Sequence, residues 1–259
     1  MKVLKNPSII LIVLFIYLSS CGTFKIDSFQ SENIQLGDHI SMVDFSEINL
    51  PEYKDTLDKE MDEVLNYAVT NMQVGCPEGL LGNFICDLSM FMANKYYATK
   101  IKPDFCVLNN GGFRTSLNKG PITKGKIFEI MPFDNYLVVV TLNDKQLNEL
   151  LDYIKKKSQM GASRKSGVPV SGIRMRITDN EIDKCFIQNV KYNPSKNYHI
   201  LTTDYLANGG DNMTFFKKAS NYINTEVLLR DVIIDYIREI NKIGTKVEAK
   251  FDGRIEINQ

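Results

Sequence analysis

Histidine is scarce in this chain of 259 residues: there are two, His39 and His199, and neither stands in an Asp-x-His or Gly-Asn-His-Glu setting. Imidazole is the commonest ligand of catalytic metals and the usual base beside a nucleophile. A two-metal hydrolytic centre, or a Ser/His/Asp or Cys/His system, therefore has too few bases to be built here, and the two histidines read as a surface residue and a strand residue. Excess charge of either sign is also missing, with 31 Lys and Arg against 31 Asp and Glu. That removes the electrostatic ground for nucleic acid as a partner or for docking on an anionic membrane face. The five cysteines include no Cys-x-x-Cys pair, which argues against the common zinc frameworks. The glycine fingerprint of dinucleotide folds and the Gly-Lys-Ser/Thr ending of a P-loop are absent as well. No internal repeat or low-complexity tract occurs.

What is present begins with an export signal at residues 1–20, in which Lys2 and Lys5 precede an apolar stretch at 9–18 that is too short to span a bilayer. The run Leu18-Ser19-Ser20-Cys21 resembles the bacterial lipobox, which ends in a cysteine that becomes the lipidated N-terminus after cleavage. Two or more acyl chains hold a soluble domain stably at a bilayer, whereas one does so only marginally. The expectation is an exported lipoprotein of a bacterial envelope, anchored through Cys21 to a membrane on its periplasmic or cell-surface face. Cys76, Cys86, Cys106 and Cys185 then remain; an oxidising compartment would permit disulfides among them, spacing alone does not say whether any form, and single buried thiols are the default expectation. Residues 21–50 read as a tether leading into an edge strand, with 24–29 alternating in the strand manner, and 51–259 as one domain.

Within 51–259 helix and strand periodicities interleave irregularly. Pro51 opens a segment at 51–72 in which Leu57, Met61, Val64, Leu65 and Ala68 recur at helical spacing, predicting a core-facing surface helix. Further helices are expected at 80–97, from a Thr123 cap to 129, at 145–157 and at 225–240. Strands are expected at 105–108, 136–142, 170–177, 185–190 and 198–203, and residues 155–167 form a basic loop. The fold class that follows is α+β, a layered mixed domain without a strict βαβ repeat.

Two polar glycine segments stand out, each fed by a short apolar run. They are Asn109-Asn110-Gly111-Gly112-Phe113-Arg114 and Asp204-Tyr205-Leu206-Ala207-Asn208-Gly209-Gly210-Asp211. Glycine pairs permit positive φ and close backbone approach, Arg114 can fork onto a phosphate or carboxylate, and Tyr205 with Asp211 offers a flat ring and an acid. A ring that stacks on a base and an acid that accepts from ribose hydroxyls suit a nucleoside. A second ring can come from Phe133 in Met131-Pro132-Phe133-Asp134-Asn135.

At these segments the chain resembles the C-terminal domain of bacterial and animal 5'-nucleotidases, over about residues 75–220. The Asn109 to Arg114 run is similar to that family's Asn-Gly-Gly-Gly-Ile/Phe-Arg segment, Pro132-Phe133-Asp134 to its Pro-Phe-Gly, and Tyr205 to Asp211 to its Phe-Leu-Ala-x-Gly-Gly-Asp. Leu81-Gly82-Asn83, with Asp87 beyond it, resembles the family's helix opening, and Val170-Ser171-Gly172 the strand that passes beside the bound base. The resemblance implies a domain that holds the nucleoside end of a nucleotide. Phe133 and Tyr205 would sandwich the base, Asp211 would hold the ribose, and Asn109 with Arg114 would contact the ribose or phosphate side. Gly111, Gly112, Gly172, Gly209 and Gly210 would supply supporting backbone. Three departures are visible: Tyr205 for the family's Phe, Asn110 for its first glycine, where a left-handed conformation is expected, and no arginine in Val74-Gly75-Cys76-Pro77.

In full-length members a separate metallophosphoesterase domain carries two divalent metals and activates water. The resemblance therefore implies a chain that binds no metal or cofactor, has no catalytic residues of its own, and is inactive alone. The nucleoside or nucleoside monophosphate would be its ligand and a separately encoded metallophosphoesterase its partner. The competing reading is a lipoprotein that captures nucleosides and has no enzymatic role.

Overall fold

The computed structural model describes residues 50–96, 101–159 and 161–258. The export signal at 1–20, the lipidation at Cys21, the tether and edge strand up to residue 49, and His39 lie outside those residues. In chain order the described elements are α1 (Leu50–Met61), β1 (Val64–Ala68), α2 (Leu80–Lys95), β2 (Phe105–Val107), β3 (Gly120–Thr123), α3 (Lys124–Ile130) and β4 (Tyr136–Leu142). Then come α4 (Asp144–Lys157), β5 (Val170–Ser171), β6 (Ile173–Thr178), β7 (Glu181–Ile187), β8 (Val190–Lys191), β9 (Tyr198–Thr203) and α5 (Asp204–Ala207). The last three are β10 (Asn221–Leu228), α6 (Leu229–Lys242) and β11 (Ile255–Asn258). Among the described residues, several sheets and six α-helices make this the layered mixed α and β domain expected.

A five-stranded sheet in the order β10-β4-β9-β2-β5 forms the central layer. Its inner strands β4, β9 and β2 are buried on both faces, as a sheet covered on both sides demands. Leu137, Val139, Cys106 and Leu201 point into one core with α2 and α6, while Val138, Val140, Phe105 and Ile200 point into a second core with α4 and the sheet formed by β11, β6, β7 and β8. α3 and α4 begin where their sequences provide side-chain caps, whereas α2 after Gly79 and α6 after Leu228 start without one. The Asn143 side chain accepts from the Gln146 backbone N–H at 3.1 Å, and the Gln146 side chain accepts from that of Asn143 at 2.9 Å, a reciprocal cap for α4. Thr123 caps α3 through the Lys126 N–H, as its sequence predicts.

Three periodicity readings are corrected. The helix expected over 51–72 ends at Met61, its residues 52–60 are exposed and do not face a core, and Val64, Leu65 and Ala68 belong to β1. A spacing of four residues, as between Met61 and Leu65 or Val64 and Ala68, fits a strand as well as a helix, and the partner that decides the matter, β3, lies far along the chain. Asn66 fixes β1 further, its buried amide donating to the carbonyls of Thr245 at 2.9 Å and Ile237 at 3.3 Å. The helix expected from 225 starts at Leu229, because residues up to Leu228 are drawn into β10 against β4. Finally, the strand expected over 170–177 is two strands in two sheets. Gly172, at φ 80°, turns the chain from β5, paired with β2, into β6, paired with β7 and β11.

Candidate functional site

Topology brings the marked segments together. β2 and β9 are parallel neighbours, with Phe105 opposite Ile200 and Cys106 opposite Leu201, so the glycine segments that follow them emerge at the same end of the sheet. β4 runs antiparallel to β9, with Leu137 opposite Thr203, so the connection that delivers Phe133 into β4 reaches that end too. Carboxyl ends of adjacent strands are a frequent place for ligand sites in mixed sheets. Here they border a cavity of about 290 Å³ lined by Asn109, Gly111, Gly112, Arg114, Phe133, Asn135, Tyr205 and Asp211. Its volume sits near the lower end of the ~300–1,000 Å³ common for small-molecule sites, which suits one compact ligand.

Phe133 and Tyr205 are 41% and 45% exposed, so neither ring is filling a core. Tyr205 is nevertheless held: its hydroxyl donates to Asp211 Oδ1 at 3.0 Å and accepts from the Asp211 N–H at 3.3 Å. Asn109 Nδ2 donates to the other carboxylate oxygen, Oδ2, at 2.6 Å, joining the two glycine segments across the cavity. Arg114 lies between the first segment and Phe133. Its guanidinium carbon is 5.9 Å from the Phe133 ring centroid, within cation–π range, and its backbone N–H is bonded to Ile130 O at the end of α3. The cavity thus offers two flat apolar faces, an anchored carboxylate and a cation at its rim. A planar base, a hydroxylated sugar and an anionic group match those three features in turn.

The glycines act differently from one another. Gly209 adopts φ 86°, a left-handed conformation that the turn after α5 requires. Gly210 is needed for space, since a Cβ there would lie 2.4 Å from the Tyr205 ring. Gly111 and Gly112 are not left-handed. They bring backbone close to the amide of Asn109, with Cβ positions 3.4 and 3.1 Å from its atoms, and at Gly111 also 3.4 Å from Asp211 Oδ2. Asn110 is not left-handed either, contrary to expectation; it is buried and spends its amide on the carbonyls of Gly75 at 2.9 Å and Arg164 at 3.0 Å. Gly172 does not line this cavity but a separate polar one that includes Asp87 and Arg254.

Two residues at the site carried no signal that assigned them a role. Asn135 lines the cavity from within the quoted Phe133 segment. Tyr153, from α4, donates its hydroxyl to Asp211 O at 2.8 Å, a contact between residues 58 apart in sequence that no local pattern marks. Burial, with the charges of Asp211 and Tyr205 adding to it, pushes the Tyr153 hydroxyl up to about 12, so it remains a protonated donor.

Metal ligation finds no such convergence. Among the described residues no three His, Cys, Asp or Glu side chains stand together as a metal group. His199 is committed to structure, its Nδ1 paired with Thr141 Oγ1 at 2.9 Å and its backbone N–H bonded to Asp104 Oδ2 at 2.8 Å. The described residues do not fit a two-metal centre. Cys76, Cys86, Cys106 and Cys185 are free thiols, and burial, followed by a contact with Cys106, pushes the Cys86 thiol well up.

Comparison with known proteins adds a second line of findings. The model of the family described as 5'-nucleotidase, C-terminal domain, matches residues 60–218. The trifunctional nucleotide phosphoesterase protein YfkN of Bacillus subtilis is 26% identical over 255 residues, covering 91% of this chain and 16% of that protein. A 5'-nucleotidase of Vibrio parahaemolyticus is 27% identical over 165 residues, covering 62% of this chain and 29% of its own length. Among solved structures, the 5'-nucleotidase precursor from Thermus thermophilus superposes with a TM-score of 0.68 at 27% identity, over 81% of this chain and 42% of the other. The chain therefore spans under a third of the length of these two curated relatives.

Proposed function

This chain belongs to the 5'-nucleotidase C-terminal domain family, and from that premise we propose that it binds the nucleoside part of a nucleotide and leaves cleavage of the phosphate ester to a separate two-metal phosphoesterase. One observation carries the binding reading: two exposed rings and a doubly anchored carboxylate line a single cavity. The base stacks between Phe133 and Tyr205, each worth ~1–3 kcal/mol as a stacking face. Asp211 accepts from the ribose hydroxyls, using the lone pairs that Asn109 and Tyr205 leave free. Arg114, at the rim, faces the phosphate side, where a charge-assisted bond is strongest.

Support for an external catalyst comes from the donor set. His199 is bonded into the sheet, and the described residues hold no metal-ligating cluster. Divalent metals and the attacking water then belong to the partner. Cys21 carries a lipid anchor in this reading, and the domain works outside the cytoplasm at an envelope membrane; the lipobox-like run Leu18 to Cys21 supports it.

The test uses the full chain purified in detergent micelles. Calorimetric titration with adenosine and AMP is expected to show binding, and phosphate release from AMP with added Mg²⁺, Mn²⁺ or Zn²⁺ is expected to stay at background. Absence of binding would overturn the nucleoside reading. Robust metal-dependent hydrolysis by the purified chain would overturn the need for a separate phosphoesterase.

A further inference from the structure

Resting on that nucleoside reading, we propose that Tyr153 is a positioning residue of the site: from outside the cavity it holds the Asp211 turn in a left-handed conformation, so that the carboxylate stays aimed at the ribose. Asp211 has φ 50° and ψ 28°, and Asn212 follows at φ 65°. Two successive non-glycine residues in this region are unfavourable by about 1–2 kcal/mol each, somewhat less for Asp and Asn, so the surrounding structure must impose them.

Four hydrogen bonds do so, and they engage every polar group of Asp211. Its carboxylate oxygens accept from Tyr205 and Asn109, its N–H donates to the Tyr205 hydroxyl, and its carbonyl accepts from the Tyr153 hydroxyl at 2.8 Å. Three of the four come from residues that line the cavity and would themselves touch a ligand. The fourth is independent of the ligand. Tyr153 stands on α4, whose Leu147, Leu150, Leu151 and Ile154 are buried in the second core. Its ring meets Phe215 edge-on at 5.9 Å, and Lys157 Nζ lies 5.5 Å from its centroid. The carbonyl that Tyr153 grips is thus tied to the rigid layer of the domain, while the carboxylate on the same residue faces the cavity. Removing the hydroxyl leaves the exposed carbonyl to water, which satisfies it without fixing the turn.

The experiment compares adenosine with 2',3'-dideoxyadenosine, which keeps the base and lacks the diol, by calorimetry on the full chain. Tyr153→Phe is expected to weaken adenosine about five-fold, the equivalent of one ordinary hydrogen bond, and to leave the dideoxy analogue unchanged. Placed on an Asp211→Asn background, Tyr153→Phe is expected to cause no additional loss, because it acts through that residue. Tyr192→Phe, which removes another hydroxyl bonded to α4 at Asp144 and Asn148, serves as the control and leaves both affinities alone. Unchanged adenosine affinity in Tyr153→Phe, equal weakening of both ligands, or additive losses in the double variant would each overturn the proposal while the nucleoside reading stands. If the unaltered chain binds neither probe, the nucleoside reading falls and this inference with it.

Discussion

Tyr205 and Gly210 show how single residues set the geometry of the cavity. The tyrosine hydroxyl converts a stacking ring that would be free to rotate into one bonded to both the side chain and the backbone of Asp211. Gly210 passes behind that ring with no room for a methyl group, a Cβ meeting ring carbons at 2.4, 2.5 and 2.7 Å. Gly210→Ala is therefore expected to displace the ring and weaken nucleoside binding about ten-fold, a partial loss of stacking. Because the ring is half exposed and can swing outward, the loss of stability should stay within ~1 kcal/mol. Calorimetry and thermal melting on the same variant check the two halves; a folded variant with full affinity contradicts the geometry. Much of this was legible in the sequence, since ring, glycines and acid lie within seven residues. The different uses of the glycines were not, because φ and close approach depend on what packs against them. Asn110 is the clearest case: its helpfulness in left-handed turns pointed one way, while two distant carbonyls decided its place.

At the scale of elements, β11 illustrates how a short strand is secured. It pairs in parallel with β6 alone, a weak position, yet Arg254 just before it is only 6% exposed. Its guanidinium makes five bonds, to both carboxylate oxygens of Asp87 on α2 at 2.9 and 3.0 Å, to both of Asp252 at 2.9 and 3.1 Å, and to Val170 O at 2.7 Å. Five donors in a fixed fork are all that arginine owns, so no donor is wasted. Burial works against the charged form, but the bonds to Asp87 and Asp252 outweigh it and raise the Arg254 pKa. Arg254→Ala should cost about 3 kcal/mol, the lower end for breaking a buried pair because the Asp87 side chain is 52% exposed. Lysine, with one charge point and three donors, should restore only part; urea denaturation of both variants measures this. The sequence drew attention to Asp87 through its motif without showing its partner, which lies 167 residues away. The same distance effect explains β1 and β10, whose residues fit a helix locally and were claimed by strands elsewhere.

For the molecule as a whole, the family match ends at residue 218, but the domain does not. β10 forms one edge of the central sheet, and α6 buries Leu229, Val232, Ile233 and Ile237 to 1% exposure or less in the first core. Full burial of each such side chain is worth ~1.5–3 kcal/mol, so the four together rival the ~5–15 kcal/mol by which a domain is stable. A chain truncated after Lys218 is expected to lose cooperative unfolding and nucleoside binding together, as read by circular dichroism melts and calorimetry. A folded, binding truncation would show that the C-terminal elements are an appendage. The strand-forming apolar runs at 136–142 and 198–203, the Thr123 cap, and the ring, glycine and acid groupings follow from side-chain chemistry acting over a few residues, and the sequence by itself determined them. Tertiary structure alone decided that β2 and β9 lie side by side and parallel, that Gly172 passes the chain between two sheets, and that Tyr153 grips the back of the Asp211 turn. Those are pairings across the chain, set by which apolar faces and unsatisfied backbone groups can be buried together.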